Sequence, residues 1–301
     1  GTELWAASDK LLGTEVRILL LHNELPVKQA VLDAARRTAL VDGARVIRVL
    51  SVSDSPSSVY VATEVPTGTN LSESVNGTPL RVEQVHAIVG SVAETLGAAR
   101  QRGLRHLHIT PDRLWITPDN QVYVDGIGIA AALSRTQAPD MTPADVDRLE
   151  VHRLLGFAAS LLTGTPLSST ENIDSLIADA LTRPDLSPEL HQALSRELDG
   201  FGAPLAGDLA RELSPVPALN PESFLDSHAT RFFSTEEIAA VGDDDASHDS
   251  SGPAASVGSP EPTNVQVGPD SDPSVTARFP KITAPLGGAA AGAPAGSTWA
   301  A

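Results

Sequence analysis

His106 and His108, one residue apart, are the side chains whose types and spacing most directly suggest chemistry. A neutral imidazole can ligate a metal or accept a proton near neutral pH. A tetrahedral metal site needs further ligands, and no third one is apparent near this pair. The chain holds no cysteine, which excludes disulfides, thiolate catalysis and Cys-based zinc sites. Neither a metal nor a cofactor is expected. A metal at the pair is therefore the minor reading, and a role for His108 as a base is chemically possible on residue type alone. The run Asp243-Asp244-Asp245 reads as solvated low complexity, with docking linked to phosphorylation as its alternative.

The chain has 301 residues, enough to bury a real core. Its 38 Asp and Glu against 21 Lys and Arg leave a net charge of −17. That argues against a nucleic-acid partner, because neutralising phosphates takes clustered cations. No stretch of about 18 apolar residues appears, so no spanning helix is expected. The opening Gly1-Thr2-Glu3 lacks an initiator Met and a signal peptide, and reads as the start of a fragment. From about Val241 the composition turns to Ala, Gly, Pro, Ser and Asp, with Phe279 and Trp299 the only aromatics. Such a stretch cannot offset an ordering entropy of roughly 1–2 kcal/mol per residue. A folded part to about residue 235 and a disordered tail over 236–301 follow.

Periodicity places the elements. Val16 to Leu21 is an aliphatic run of strand length. A helical stretch opens at Pro26, with Val27, Ala30, Val31, Ala34 and Ala35 apolar, and ends near Asp42-Gly43. Val46 to Val52 and Ser58 to Glu64 read as two strands. Arg81 to Gln101 carries Val85, Ile88, Val89, Val92 and Leu96 at helical spacing. Short strands at Leu114 to Ile116 and Gln121 to Val124 flank a Pro118-Asp119-Asn120 turn. Helices follow over Glu150 to Leu162, Ser175 to Thr182, Pro188 to Asp199 and Asp208 to Leu213. The predicted outcome is a small β-rich lobe followed by a helical lobe.

The stretch Gly103-Leu104-Arg105-His106-Leu107-His108-Ile109-Thr110-Pro111-Asp112-Arg113-Leu114-Trp115-Ile116 resembles the catalytic loop of bacterial Ser/Thr protein kinases. Asn120 to Ala130 is similar to the strand pair and D-F-G-I-A segment that follow it. Tyr60 to Val65, with Gly68 and Leu71, resembles the hinge between kinase lobes, and Leu161 to Pro166 the end of the long buried C-lobe helix. The resemblance covers residues 16 to about 166 in the right order. It implies an α+β, two-lobed protein-kinase-like fold: a small β-rich N-lobe over 1–65, a helical C-lobe over 66–235 and a disordered regulatory tail. The activation segment, Gly128 to Glu150, is truncated and has no A-P-E motif. Glu150 takes the place of a structural Asp.

Carried over residue by residue, the family's functional groups change type. The strand Lys falls at Leu19 and its helix Glu near Ala34. The catalytic Asp falls at His108, its companion Arg at Leu107 and the loop Lys at Thr110. The metal-binding Asn falls at Arg113 and the Asp of D-F-G at Gly126. Asp125 stands one residue early, and alternation along a strand would turn it to the opposite face. The glycine-rich loop is missing, since Leu4 to Leu12 contains no Gly where the family packs several, and the first strand is expected to be lost or trimmed. The resemblance so read implies a pseudokinase that is not an enzyme.

Within the family, the arrangement is most similar to the cytoplasmic pseudokinase region of mycobacterial lipid-II-flippase-like proteins of the MviN family, which belong to peptidoglycan synthesis. That resemblance implies a location on the cytoplasmic side of the plasma membrane, tethered to a membrane domain. It implies a phosphorylation-dependent scaffold with two partners: a receptor-type Ser/Thr kinase, and a forkhead-associated domain protein that reads phosphothreonine. Thr276 is the expected phosphosite, with Asp270 and Asp272 upstream and Phe279 three residues downstream; Thr263 and Thr283 are alternatives. The alternative function is an atypical kinase-fold enzyme or sensor that binds a nucleotide or small molecule.

Overall fold

The computed structural model describes residues 2–9, 13–41, 45–56, 58–75, 77–134, 141–167, 172–219 and 275–277. Thr263 and Thr283 lie outside these residues, as does the tail apart from 275–277. The N-lobe is a sheet of antiparallel strands in the order β3-β4-β2-β1-β8, with one helix against it. Strand β1 is Thr2–Asp9, β2 Glu15–Leu21, β3 Val49–Asp54, β4 Val59–Glu64 and β8 Val275–Ala277; helix α1 is Lys28–Thr38.

Strand β1 departs from the expectation of a lost first strand. It pairs with β2 along its length, from Thr2 opposite Leu21 to Ser8 opposite Glu15. Its Ala7 is fully buried with Val16, Ile18 and Ala62. Three residues of the tail region are described: β8 lies antiparallel on β1, with Thr276 in register with Ser8. On the other face, Leu21 of β2 packs with Val31, Leu32 and Ala35 of α1 and with Val59 and Val61 of β4.

The C-lobe is helical around α3 (Val82–Arg100) and α5 (Pro143–Thr163). Helices α6 (Ile173–Leu181), α7 (Pro188–Leu198) and α8 (Ala206–Glu212) complete it. A second sheet, β5 (Thr69–Asn70), β6 (Leu114–Ile116) and β7 (Val122–Val124), floors the space between the lobes. Phe157, Leu154 and Leu155 of α5 join Ile88 and Leu96 of α3 in one core that also includes Val124 and Ile127. Helices α3 and α8 approach closely where Gly97 meets Gly207; a Cβ on Gly97 would lie 2.9 Å from the Gly207 Cα.

Helix α5 starts a full two turns before the apolar run that predicts it. Thr142 caps it, accepting from the Asp145 N–H while the Asp145 carboxylate accepts from the Thr142 N–H, and Pro143 follows at the first helical position. These polar residues fix the start; Gly164, left-handed at φ 75°, ends the helix. Two shorter helices, α2 (Leu71–Ser74) and α4 (Ile129–Ser134), are absent from the sequence reading. α4 occupies the start of the truncated activation segment.

Candidate functional site

The lobes meet at a cavity of about 590 Å³ whose lining includes Arg17 and Leu19 of β2, Val61 of β4, and Arg113, Asp125 and Gly126 from the C-lobe. The back of the cavity is tied by backbone. Val124 donates to the Arg45 carbonyl at 2.9 Å and accepts from the Ile47 N–H at 3.0 Å. From α1, the Thr38 hydroxyl donates to the Ile127 carbonyl at 2.9 Å. Gly128 seats this junction at φ 74°: a Cβ there would meet Leu104 Cδ2 at 2.7 Å and Ala34 Cβ at 3.3 Å. Only glycine accommodates both the left-handed backbone and that approach.

The sequence places five positions at the site, and the cavity gathers three of them. Leu19, Arg113 and Gly126 line it, whereas Ala34 and His108 are not among its lining residues. Ala34 is buried in the main core. His108 is exposed, and partial burial, then Arg153, then Arg113 hold its imidazole below the usual histidine range.

Two residues enter the cavity that the sequence reading leaves out of it. Strand β7 ends at Val124, so alternation no longer governs Asp125, and its carboxylate turns into the cavity rather than away from it. There it meets Arg17 Nη2 at 3.0 Å, with both side chains 13% exposed. Arg113 Nη1 approaches the same carboxylate oxygen at 4.0 Å and Arg113 Nε lies 3.4 Å from Asp112. Arg17 precedes Leu19 by two residues on the strand, so a cation stands on the same strand face as the position where the family has its Lys. The available signal was that period of two. Among the described residues no three His, Asp or Glu converge on a point, and both arginines already neighbour Asp125. A magnesium-bound nucleotide thus finds no ready-made metal seat in this donor set.

Beneath the cavity, loop 105–108 rests on α5. The Glu150 carboxylate accepts from the His106 N–H at 2.7 Å. Asp147, one turn earlier, binds Arg105 and also Arg100, at 2.8 Å to Arg100 Nη2. Arg153 Nη1 donates to the Leu107 carbonyl at 2.6 Å. Leu107 is left-handed at φ 60°, a conformation that costs a non-glycine residue about 1–2 kcal/mol. Three residues of one helix therefore hold the loop in a shape it would not adopt alone.

No family model matches the chain. It is 27% identical over 214 residues to the serine/threonine-protein kinase Pkn1 of Myxococcus xanthus, covering 62% of this chain and 31% of that protein. It is 30% identical over 154 residues to the probable serine/threonine-protein kinase PknB of Corynebacterium glutamicum, covering 48% of this chain and 24% of that protein. The chain has a kinase-like fold. It spans about a third of the one relative's length and a quarter of the other's.

These relatives correct the expectation that the chain is not an enzyme. They are named as Ser/Thr protein kinases, and at this modest identity they point toward kinase catalysis. The physical weakness of the expectation lies in counting groups at fixed positions. Arg17 and Asp125 reach the cavity from neighbouring positions, so a group missing from one position is not a group missing from the site. Among the described residues no helix is long and apolar enough to cross a membrane.

Proposed function

We propose that this kinase-like domain works as a phosphorylation-dependent docking module, whatever chemistry its cleft performs. In this reading a receptor-type Ser/Thr kinase phosphorylates Thr276 and a forkhead-associated domain protein reads the phosphothreonine. The module sits on the cytoplasmic side of a membrane protein similar to the MviN family, in the regulation of peptidoglycan synthesis. The observation that carries the reading is the place of Thr276. It lies in β8, in register with Ser8 on the edge of the N-lobe sheet, so the segment bearing it is presented at the domain's surface strand. A phosphate adds about −1.5 to −2 charge and three acceptor oxygens for a reader's donors. The test is mass spectrometry after incubation with a receptor-type kinase, then pull-down with a forkhead-associated domain. Thr276→Ala is expected to abolish capture; capture that survives removal of Thr263, Thr276 and Thr283 together overturns the reading.

A second reading concerns the cleft, and the Arg17–Asp125–Arg113 cluster favours it. A cavity of about 590 Å³ is within the usual size of a small-molecule site, and the charged cluster offers both signs to a ligand. The domain would then be an atypical nucleotide- or small-molecule-binding kinase-fold enzyme or sensor. Thermal-shift titration with ATP in the presence and absence of Mg²⁺ tests it, because a ligand stabilises by RT ln(1 + [L]/Kd), and with no metal seat in the donor set the stabilisation should not need Mg²⁺. Saturable stabilisation that Arg17→Met removes is expected; no shift at millimolar nucleotide rejects the nucleotide form of this reading.

A further inference from the structure

Strand β1 has two edges, and they are used unequally. Toward β2 it is paired from Thr2 to Ser8. On its other edge the described partner is β8, through Ala7 with Ala277, Ser8 with Thr276 and Asp9 with Val275. Thr2 to Ala6 have no register partner on that edge among the described residues. Such an edge is a template for another strand, because its N–H and C=O groups lack a ladder.

The sequence around position 276 suits this seat. Val275 and Thr276 are β-branched. Pro273 and Pro280 bracket them and limit how far a ladder can run in either direction. Three pairs make a weak ladder, so the segment can leave. Covalent connection offsets that weakness. Residues 220–274 join β8 to the C-lobe, a length that reaches β1 and keeps the segment more concentrated there than a free peptide would be.

We propose, on the reading of Thr276 as the phosphosite, that the outer edge of β1 is a docking seat for the chain's own segment 275–277, and that docking there and phosphorylation of Thr276 exclude each other. A kinase must position the hydroxyl together with the extended residues on either side of it, and a phosphothreonine reader grips the same extended stretch. A segment laid against a sheet offers neither of them a free strand. β8 thus holds Thr276 at the surface in a stored form, and the form a partner takes is the released one. The exclusion also runs the other way. Thr276, Ser8 and Glu15 stand in one row across three strands, with neighbouring strands about 4.8 Å apart. A phosphate on Thr276 brings about −1.5 to −2 charge into the row that holds Glu15. Like charges set against one another across a sheet are destabilising, so a phosphorylated segment is discouraged from returning to its seat and stays available to its reader.

The chain has no cysteine, so one engineered pair can lock the seat. Asp9→Cys with Val275→Cys sets two thiols at paired positions, at a spacing that cross-strand neighbours share with disulfides. In the dilute full chain, oxidised glutathione is expected to close an intramolecular disulfide. A chain that does not close, or that links only to a second copy, overturns the proposal. Mass spectrometry then follows Thr276 under a receptor-type kinase. The locked chain is expected to react at least about fivefold more slowly than the same chain reduced; equal rates overturn the proposal. Trypsin cleavage after Arg278 reads the same protection without a kinase. A kinase that modifies neither form, while trypsin spares Arg278 in the locked chain alone, supports the seat and strikes the phosphosite reading instead. In the wild type, hydrogen exchange over the Ala7, Ser8 and Asp9 amides should quicken once Thr276 is phosphorylated; unchanged exchange overturns the mutual exclusion.

Discussion

At the cavity, Arg17 and Asp125 keep 13% of their side-chain surface and Arg113 keeps 25%. On α5, outside the cavity lining, Asp147 keeps 3% and is gripped by Arg105 and Arg100 together. The first cluster can use water to soften any mismatch, since a partly exposed ion pair is worth at most about 1 kcal/mol. The second cannot. A carboxylate sealed from solvent must find enough donors or give up its charge. Asp147 stays paired with two guanidiniums, while Glu150, three residues on, accepts from the His106 N–H. The chemistry-bearing surface is therefore replaceable, and the support beneath it is not.

That contrast can be broken most sharply at Asp147. Asp147→Ala removes the sealed carboxylate that Arg105 and Arg100 share and is expected to cost about 3 kcal/mol in chemical denaturation. A loss under about 1 kcal/mol would put the support on the same footing as the cavity. Gly128→Ala probes the junction between them. A left-handed backbone and the 2.7 Å approach to Leu104 predict a loss of about 2 kcal/mol, and an unchanged midpoint would show that the junction yields. Arg17→Met should cost about 1 kcal/mol or less. It removes the Asp125 pair but also a buried Nε that has no hydrogen-bond partner, and its thermal midpoint should fall far less than that of Asp147→Ala. Arg113→Ala, at the long end of the same cluster, is expected to stay within about 0.5 kcal/mol of the wild type.

The period-two and period-3.6 patterns located β2, α3, β6 and β7 to within a residue or two, because each buries a continuous apolar face. Elements held by polar caps or cross-strand pairing were illegible. Strand β1 depends on its pairing with β2, and the first turns of α5 depend on the Thr142–Asp145 cap rather than on apolar spacing. At the site, the resemblance placed Leu19, Arg113 and Gly126 on the cavity wall. It misplaced Asp125, because nothing in the residues announces that β7 stops at Val124. It also passed over Arg17, whose partner is 108 positions away.

The close crossing of α3 and α8 has a consequence for how such sequences can drift. At position 97 the alphabet shrinks to a single letter, because even a methyl group would drive α8 away. Helix α8 leads directly to Leu213, whose carbonyl meets His86 of α3 at 2.7 Å. Divergence at position 97 would have to be matched by a shifted α8 and a lost His86 contact. Gly97 and His86 should therefore be inherited together, a signature by which more distant descendants of this C-lobe can be recognised after their clefts have changed.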